Sequence, residues 1–199
     1  DEEAMHKIAG NEMRSMKAMQ EASTRAYQKV LIQRGFDSGA ATHPLSIILS
    51  VLVDYNGFRF FVMSMPPIDE GRTQVYGRED THDPNSVFLD KNANFHALHG
   101  AACEELNLKP HLVISDGEAI KINGSVETQG HYCYDGRFYA INFARLMPSD
   151  LPNDGMEMLT KQLRPELVKS FRMPLSSDAF SHLTLPPKDE ASAQLLGDA

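Results

Sequence analysis

The dipeptide Asn56-Gly57, placed between two apolar runs, constrains the fold of this chain more than any other feature. The run before it extends from Ile47 to Val53 and is interrupted only by Ser50, and the run after it extends from Phe58 to Met65. Asn-Gly favours a type I′ turn because both central residues of that turn need a positive φ. The sequence therefore predicts a β-hairpin. Because apolar residues fall on both faces of its strands, we expect it at the centre of a sheet.

Further turn signals predict that most of the sheet is antiparallel. Asp135-Gly136 predicts a second hairpin, between residues 126–134 and 137–143. Residues 80–92 are largely polar and include a proline, so they are predicted to form a loop. Shorter strands are predicted at residues 73–78, 112–115 and 119–122, and the last two are joined by a turn at Asp116-Gly117.

Helices are predicted at the start, the middle and the end of the chain. Residues 2–34 contain no proline, a single glycine and many good helix formers. In the middle, Asn94 is predicted to cap a helix with one apolar face. After Pro148 the chain is predicted to be helical again, with Pro165 in the first turn of a new helix. The predicted fold class is α+β, mainly antiparallel sheet with two β-hairpins and with helices at the N-terminus, in the middle and at the C-terminus. The apolar face of the middle helix carries Phe95, Leu98, Ala102 and Leu106.

The composition indicates a folded chain without a disulfide framework. Of the 199 residues, 42% are hydrophobic and 23% are charged, so a buried core is feasible. Cys103 and Cys133 are too few for a disulfide framework and indicate reduced core residues of an intracellular protein. The net charge of −8 argues against a protein that coats nucleic acid with its whole surface, but it is compatible with a local basic groove.

A series of short segments between residues 43 and 180 is recognisable as a set. It begins with residues 52–59 and 63–68, and it continues through Val75-Tyr76-Gly77 and residues 106–111. Its most recognisable members are Gly130-His131, Asp135-Gly136-Arg137-Phe138-Tyr139, Phe143-Ala144-Arg145-Leu146-Met147-Pro148 and Leu163-Arg164-Pro165-Glu166-Leu167-Val168. In residue identities and in order, the series resembles the CLU domain of the clustered-mitochondria family.

The resemblance implies a non-enzymatic domain of a large cytosolic protein. Proteins of that family influence mitochondrial distribution, and some associate with mRNA and the translation machinery. The implied partners are the other domains of the parent protein, RNA or translation-associated proteins, without insertion into a membrane. The resemblance supplies no catalytic residue and no cofactor. Asn142 stands where an Asp is expected before the Phe-Ala-Arg segment, so chemistry that needs a carboxylate there is not expected in this chain.

The predicted domain organisation has three parts. Residues 1–42 are predicted to form an N-terminal helical region, and residues 43–182 the CLU domain core. Residues 183–199, with two adjacent prolines and scattered charges, are predicted to form a flexible tail. We expect the chain to be a piece of a larger protein, since it does not begin with Met.

Two candidate chemistries are weighed against plain packing in the middle helix. His96, His99 and Cys103 lie three and four residues apart, and zinc would accept them if His111, His131 or Cys133 supplied a fourth ligand. The spacing matches no established zinc motif, so side chains packed beside the core are the favoured interpretation. Cys103 also lacks the local sequence of a catalytic thiol, and a small buried hydrophobe is favoured there.

A kinase-like, nucleotide- or small-ligand-binding domain is the alternative function. Residues 106–113 followed by 136–145 faintly resemble the catalytic and metal-binding segments of a kinase, with Asn142 in the place of the metal-binding Asp. Such a domain would be degenerate. This alternative predicts that Asn142, Lys109 and His111 meet in a cleft beside the first hairpin.

Basic residues late in the chain suggest an RNA-binding surface. A helix through residues 161–172 would place four of them on one face, although Pro165 would split it. Two more lie near tyrosines, which stack on unpaired bases. A solvated basic face in an acidic protein is the competing interpretation. The RNA-binding candidates are Arg137, Arg145, Lys161, Arg164, Lys169 and Arg172.

Overall fold

The computed structural model describes residues 2–34, 43–80, 86–151 and 155–181. Five helices and nine strands lie in these ranges. The helices are α1 (Glu2–Arg34), α2 (Glu70–Thr73), α3 (Ala93–Glu105), α4 (Gly155–Thr160) and α5 (Pro165–Ser170). The strands are β1 (Ser46–Ile47), β2 (Ser50–Tyr55), β3 (Phe58–Met63), β4 (Gln74–Arg78), β5 (Phe88–Asp90), β6 (His111–Ser115), β7 (Glu118–Ile122), β8 (Gln129–Tyr132) and β9 (Phe138–Ile141).

A five-stranded sheet in the order β1-β9-β8-β4-β5 forms the centre of the fold. Adjacent strands in this sheet are antiparallel, except that β1 pairs in parallel with β9. The two hairpins β2–β3 and β6–β7 form separate two-stranded sheets. The α+β prediction is confirmed, with helices at the start, in the middle and towards the end.

The long helix α1 is part of the core. Met16, Met19, Ala22 and Ala26 lie three and four residues apart on one face and are buried, with the last three fully inaccessible. These residues belong to one apolar cluster with the buried face of α3. Helix stability in proteins comes mainly from such packing of an apolar face. The predicted helix over residues 2–34 is confirmed, and α1 is integral to the packing.

Tyr76 of β4 organises the contact between the central sheet and α3. Its ring is fully buried and lies 5.2 Å from the Phe95 ring and 5.0 Å from the Phe88 ring. Its hydroxyl donates to the carbonyl of Asn123 at 2.9 Å and accepts from the Asn123 amide at 3.1 Å. The aromatic ring of Tyr76 is therefore buried while its hydroxyl keeps its hydrogen bonds.

The predicted position of the first hairpin is wrong. The turn itself is as expected, since Asn56 and Gly57 have φ values of 52° and 86°. However, β2 and β3 pair only with each other among the described strands and do not lie in the central sheet. One face of the hairpin packs towards α1 and the other is exposed, so its apolar residues on both faces do not reflect a central position in the sheet.

Smaller differences concern local elements. Asn92, rather than Asn94, caps α3, and its side chain accepts from the amides of Asn94 and Phe95 at 3.0 and 3.1 Å. The loop predicted over residues 80–92 contains the short strand β5. This strand forms because it pairs with β4, although the residues around it are polar. Pro165 begins α5 as predicted. The predicted tail, residues 183–199, lies outside the described residues.

The segment that follows α5 is tied into the core by a buried carboxylate. Asp178 is 1% exposed and accepts from the Val126 amide at 2.8 Å. It also accepts a hydrogen bond from His111 Nε2 at 2.9 Å, and Arg145 Nη2 lies 3.4 Å from its other oxygen. Buried carboxylates require such partners. Asp178 therefore anchors this segment against β6 and the chain preceding β8.

Candidate functional site

The outer face of the β2–β3 hairpin is apolar along its whole length. The register pairs Val51 with Val62, Val53 with Phe60, and Tyr55 with Phe58. Residues paired directly in an antiparallel ladder share a face, and so do alternate residues along each strand. All six side chains are 38–71% exposed, and none is an acidic or basic residue. We call this set the hairpin face; it consists of Val51, Val53, Tyr55, Phe58, Phe60 and Val62.

The opposite face of the hairpin explains why this one is uncovered. Leu52 and Phe61 are half-buried, and Phe61 packs against the core cluster. Ser50 lies against α1, with its hydroxyl 3.6 Å from the sulfur of Met16. Towards the tip, Arg59 donates two hydrogen bonds to Asp54, at 2.6 and 2.8 Å. The inner face is therefore occupied by α1 and an ion pair, and the hairpin face points away from the domain.

Beneath the hairpin a pocket of about 380 Å³ opens between α1, β3 and the end of β9. Its walls include Ile8 and Met16 of α1, Phe61 of β3 and Ile141 of β9. Two polar residues, Glu12 and Asn142, also line it. This combination of an apolar wall with few polar groups is typical of small-molecule pockets. We call it the α1–hairpin pocket.

Glu12 is the titratable group of the α1–hairpin pocket. One of its carboxylate oxygens accepts from the Phe143 amide at 3.0 Å. Burial raises the pKa of Glu12 to about 7, and the negative charge of Glu127 adds to the rise, while the Phe143 hydrogen bond opposes it. The sequence analysis missed this residue. A signal was present, because Ile8 and Met16 lie four residues before and after it on the same helix face.

The RNA-binding candidates divide between different environments. Arg137 is exposed beside the tight turn between β8 and β9, and its amide donates to Asp135. The side chain of Arg145 is only 13% exposed and forms ion pairs with Glu127 and Asp178. Its charge is therefore used inside the fold, which is unfavourable for a contact with RNA phosphates.

The other four basic candidates do not lie on a single helix. Lys161 follows the end of α4 and pairs with Glu157 at 2.8 Å. Arg164 is the N-cap residue of α5, and Lys169 lies in the last turn of that helix. Arg172 lies beyond the end of α5 and is exposed. Pro165 thus separates Lys161 from the basic residues of α5, as the sequence allowed, and their role in RNA binding stays a prediction.

The histidines and cysteine of α3 have packing roles. His99 is fully buried against the rings of Tyr76 and Phe95, and burial lowers its pKa to about 3. Burial also raises the pKa of the Cys103 thiol. His96 also lies beside Tyr76, with its ring 6.5 Å from the Tyr76 ring, and it bonds to Asp90 at 2.7 Å. No group of three potential metal ligands occurs among the described residues.

The three residues named by the kinase-like alternative do not meet. Asn142 lines the α1–hairpin pocket, and its amide donates to Gln129 at 3.0 Å. His111 is buried against Asp178. Lys109 is exposed, and its backbone amide donates to Leu175. Neither Lys109 nor His111 lines the pocket beside the hairpin, so the geometry lends this alternative no support.

The described helices do not include one with both the length and the apolar character needed to cross a bilayer.

Comparisons with known proteins agree with one another on the family. The profile described as "Clustered mitochondria" (CLU) matches residues 1–152, so the match includes α1 and ends before α4. No solved structure matches the chain.

Curated proteins of the same name align with 51–86% of the chain. It is 28% identical over 176 residues to the clustered mitochondria protein of Arabidopsis thaliana, an alignment that covers 86% of this chain and 11% of that protein. It is 32% identical to the homologues of Brugia malayi and Caenorhabditis elegans, over 51% and 54% of this chain and 7% and 9% of those proteins. The chain thus corresponds to a small part of the length of these relatives. Because the family profile matches well over half of it, the chain belongs to the clustered mitochondria (CLU) family.

Proposed function

We propose that this chain is a non-catalytic interaction domain of a larger protein, and that the hairpin face binds another part of that protein. The observation that carries the proposal is the uninterrupted apolar surface of β2–β3, with all six side chains substantially exposed. Contiguous apolar patches of this kind on soluble proteins mark interaction sites. The relatives are roughly ten times longer than the aligned region, so a large part of the family's architecture is available to cover it.

The physical argument for a protein partner rests on the shape and chemistry of the hairpin face. A two-stranded hairpin is marginally stable in water unless it packs against further structure. Its inner face has α1 as support, whereas its outer face offers aromatic and β-branched side chains and no charge. Tyr and Phe are enriched at the buried centres of interfaces. An apolar partner surface would therefore cover the hairpin face, and the hairpin would lie between α1 and the partner.

A non-catalytic role is supported by the environment of the candidate nucleophile. The Cys103 thiol is buried and its pKa is raised, whereas a catalytic thiol needs a lowered pKa and access to substrate. The neighbouring His99 has a pKa of about 3 and stays neutral, so it does not stabilise a thiolate.

For the parent protein we propose a role in mitochondrial distribution, exercised from the cytoplasm and linked to mRNA and the translation machinery. The name shared by the relatives supports the mitochondrial part of this role. Within it, the domain acts as a scaffold that holds other domains in place.

The experiment that tests the interaction mixes this chain with the remainder of the parent protein, purified as a separate polypeptide. Phe60→Thr with Val62→Thr removes apolar surface from the hairpin face while keeping residues that favour strands. Binding of the wild-type chain is expected to be saturable, and the double variant is expected to bind at least about tenfold more weakly, as for central interface residues.

Val87→Thr with Ile114→Thr is the matched control, because these side chains are 44% and 38% exposed elsewhere on the domain. The control is expected to bind within about twofold of wild type. Equal binding by the hairpin variant, or no binding by the wild-type chain, would contradict the proposal.

RNA binding by the domain itself is a second candidate. The end of the β8–β9 hairpin places Arg137 close in sequence to two exposed aromatic residues, Tyr132 and Tyr134. An exposed guanidinium beside tyrosines can neutralise phosphate and stack on unpaired bases. This observation favours Arg137 over the paired Arg145 as the centre of an RNA contact.

Fluorescence anisotropy of a labelled single-stranded RNA tests this candidate at two salt concentrations. Saturable binding that weakens as salt rises is expected, and Arg137→Ala is expected to weaken it. Arg72→Ala is the control, because Arg72 is also exposed but lies on α2. If both variants change binding equally, or if no binding occurs at low salt, RNA is not a ligand of this hairpin.

A further inference from the structure

In the part of the chain that the structure describes, no cationic side chain pairs with the carboxylate of Glu12 in the α1–hairpin pocket. Of the side chains that line the pocket, Glu12 is the one that titrates. The charged group that acts on it from a neighbouring element is Glu127, which is itself paired with Arg145 at 2.8 Å. Glu12 therefore receives one backbone hydrogen bond, from Phe143, and repulsion from a second carboxylate. A cation placed in the pocket would find an unshared opposite charge.

The rest of the pocket selects for hydrocarbon. Ile8, Met16, Phe61 and Met63 come from two different elements and surround a volume of about 380 Å³. This volume lies within the range of about 300–1,000 Å³ that is typical of small-molecule pockets. Methionine side chains adapt their shape to different apolar ligands. Ligand and wall would thus exclude water around the carboxylate, which strengthens its attraction to a positive charge.

We propose that the α1–hairpin pocket binds a small apolar molecule that carries a cationic amine. The amine pairs with the carboxylate of Glu12, and the hydrocarbon part lies against Met16, Phe61 and Met63. Asn142 also lines the pocket; its amide nitrogen donates to Gln129, and its side-chain carbonyl oxygen supplies a second acceptor for the ammonium group. This pocket is separate from the hairpin face, because Phe61 and Met63 alternate along β3 with the exposed side chains of Phe60 and Val62 and so lie on its opposite side.

Octylammonium is the probe, and octanol and octanoate are its neutral and anionic counterparts. The chain contains ten methionines, and labelling their methyl groups with carbon-13 lets NMR report where each probe binds. Met5, Met16 and Met63 line the pocket, whereas Met173 is exposed beyond α5. Octylammonium is expected to shift the three pocket signals in a saturable way while the Met173 signal stays in place. At pH 8 it is expected to bind more tightly than octanol, and octanoate more weakly than both.

The pH dependence identifies the carboxylate. With a pKa of about 7 for Glu12, about one carboxyl in eleven is ionised at pH 6 and about ten in eleven at pH 8, so octylammonium should bind about tenfold more weakly at pH 6. An alkyl ammonium, like Lys with a pKa near 10.4, stays charged at both values. The affinity for octanol is expected to be the same at pH 6 and pH 8.

Three variants complete the test. Glu12→Gln is expected to remove both the preference for the amine and its pH dependence while octanol still binds. Glu118→Gln makes the same charge change at an exposed site on β7 and is expected to behave as wild type. Ala9→Leu fills the pocket from α1 without changing charge and is expected to weaken both ligands.

Three outcomes would overturn the proposal: equal affinity for amine and alcohol at pH 8, a preference retained in Glu12→Gln, or shifts that spread to Met173. Far-UV circular dichroism establishes that each variant is folded. The Ala9→Leu variant keeps the test decisive if the Gln variant fails to fold, because blocked binding there locates the ligand independently of charge.

Discussion

At the scale of single residues, the polar groups on apolar surfaces carry most of the information about this protein. Glu12 lies on the buried side of α1 between Ile8 and Met16, and it is held by the Phe143 amide. Asp178 is more deeply buried, but it is bonded to His111, Val126 and Arg145 and joins distant parts of the chain. The first carboxylate is poorly satisfied and the second is well satisfied, and this difference decides which of them is available to a ligand.

Replacing Glu12 by Gln should stabilise the fold in a way that depends on pH. The pKa is about 7 in the folded chain against an ordinary value of 4.5, so the folded state binds more protons than the unfolded state between these values. Stability is therefore highest at low pH and is lost as pH rises through this window. Gln removes the effect, so the variant should be more stable than wild type by at most about 3 kcal/mol at pH 8 and nearly equal to it at pH 4.5.

Urea unfolding of both proteins at the two pH values measures this difference. The Gln side chain can still accept from the Phe143 amide, so the comparison isolates the charge. An equal gain at both pH values would show that the pKa of Glu12 is not raised.

At the scale of elements, close packing decides which positions tolerate change. Gly130 of β8 lies against the ring of Phe95, and a Cβ atom there would come within 2.2 Å of the ring. In contrast, a Cβ atom at Gly10 of α1 would meet nothing within 4 Å. The two glycines look similar in the sequence, since Gly10 interrupts a run of helix-forming residues and Gly130 interrupts a predicted strand. Their roles differ because a facing helix covers only one of them.

Alanine substitutions at these two glycines should act in opposite directions. Gly130→Ala forces Phe95 to move and should destabilise the fold by about 1–3 kcal/mol or more, as overpacked cores do. Gly10→Ala should stabilise it by about 0.5–1 kcal/mol, because alanine is the better helix former. Thermal unfolding followed by circular dichroism measures both. If Gly130→Ala were neutral, β8 would not pack on α3 as described.

At the scale of the whole molecule, the fold is closed by chain segments that lie far apart in sequence. The α1 helix shares the core with α3, and the segment after α5 returns to the end of α3. Leu175 accepts from the Lys109 amide at 2.9 Å and donates to the carbonyl of Asn107 at 3.0 Å. The family match ends at residue 152, yet this later segment supplies Asp178 to the core.

Removing residues after Asp150 should therefore disrupt the domain. The truncated chain would leave His111 and Arg145 without Asp178, and breaking such a buried pair costs about 3–5 kcal/mol. That loss is a large part of the about 5–15 kcal/mol that stabilises an ordinary domain. We expect the truncated chain to lose cooperative urea unfolding.

Truncation after Ser181 is the control, and it also tests the predicted flexible tail. It should leave the urea midpoint unchanged. If the shorter chain ending at Asp150 unfolded at the wild-type midpoint, the segment after α5 would be dispensable for the fold.

Local rules were enough for several features of this chain. The turn at Asn56-Gly57, the apolar stripe of α3 and the start of α5 at Pro165 follow from backbone preferences and helical spacing, which depend on a few neighbouring residues. The order of the recognisable segments was likewise readable from the sequence, and it identified the family.

Only the tertiary structure decided which apolar surfaces are covered. The hairpin carries apolar residues on both faces, and the sequence pattern could not distinguish a central strand pair from one that packs on α1 and exposes its other side. The pocket around Glu12 depends on a contact between segments more than a hundred residues apart in sequence. The burial of Arg145 depends on a contact between residues about thirty positions apart. Burial and charge pairing are set by such distant contacts, whereas turns and helix ends are set by the residues beside them.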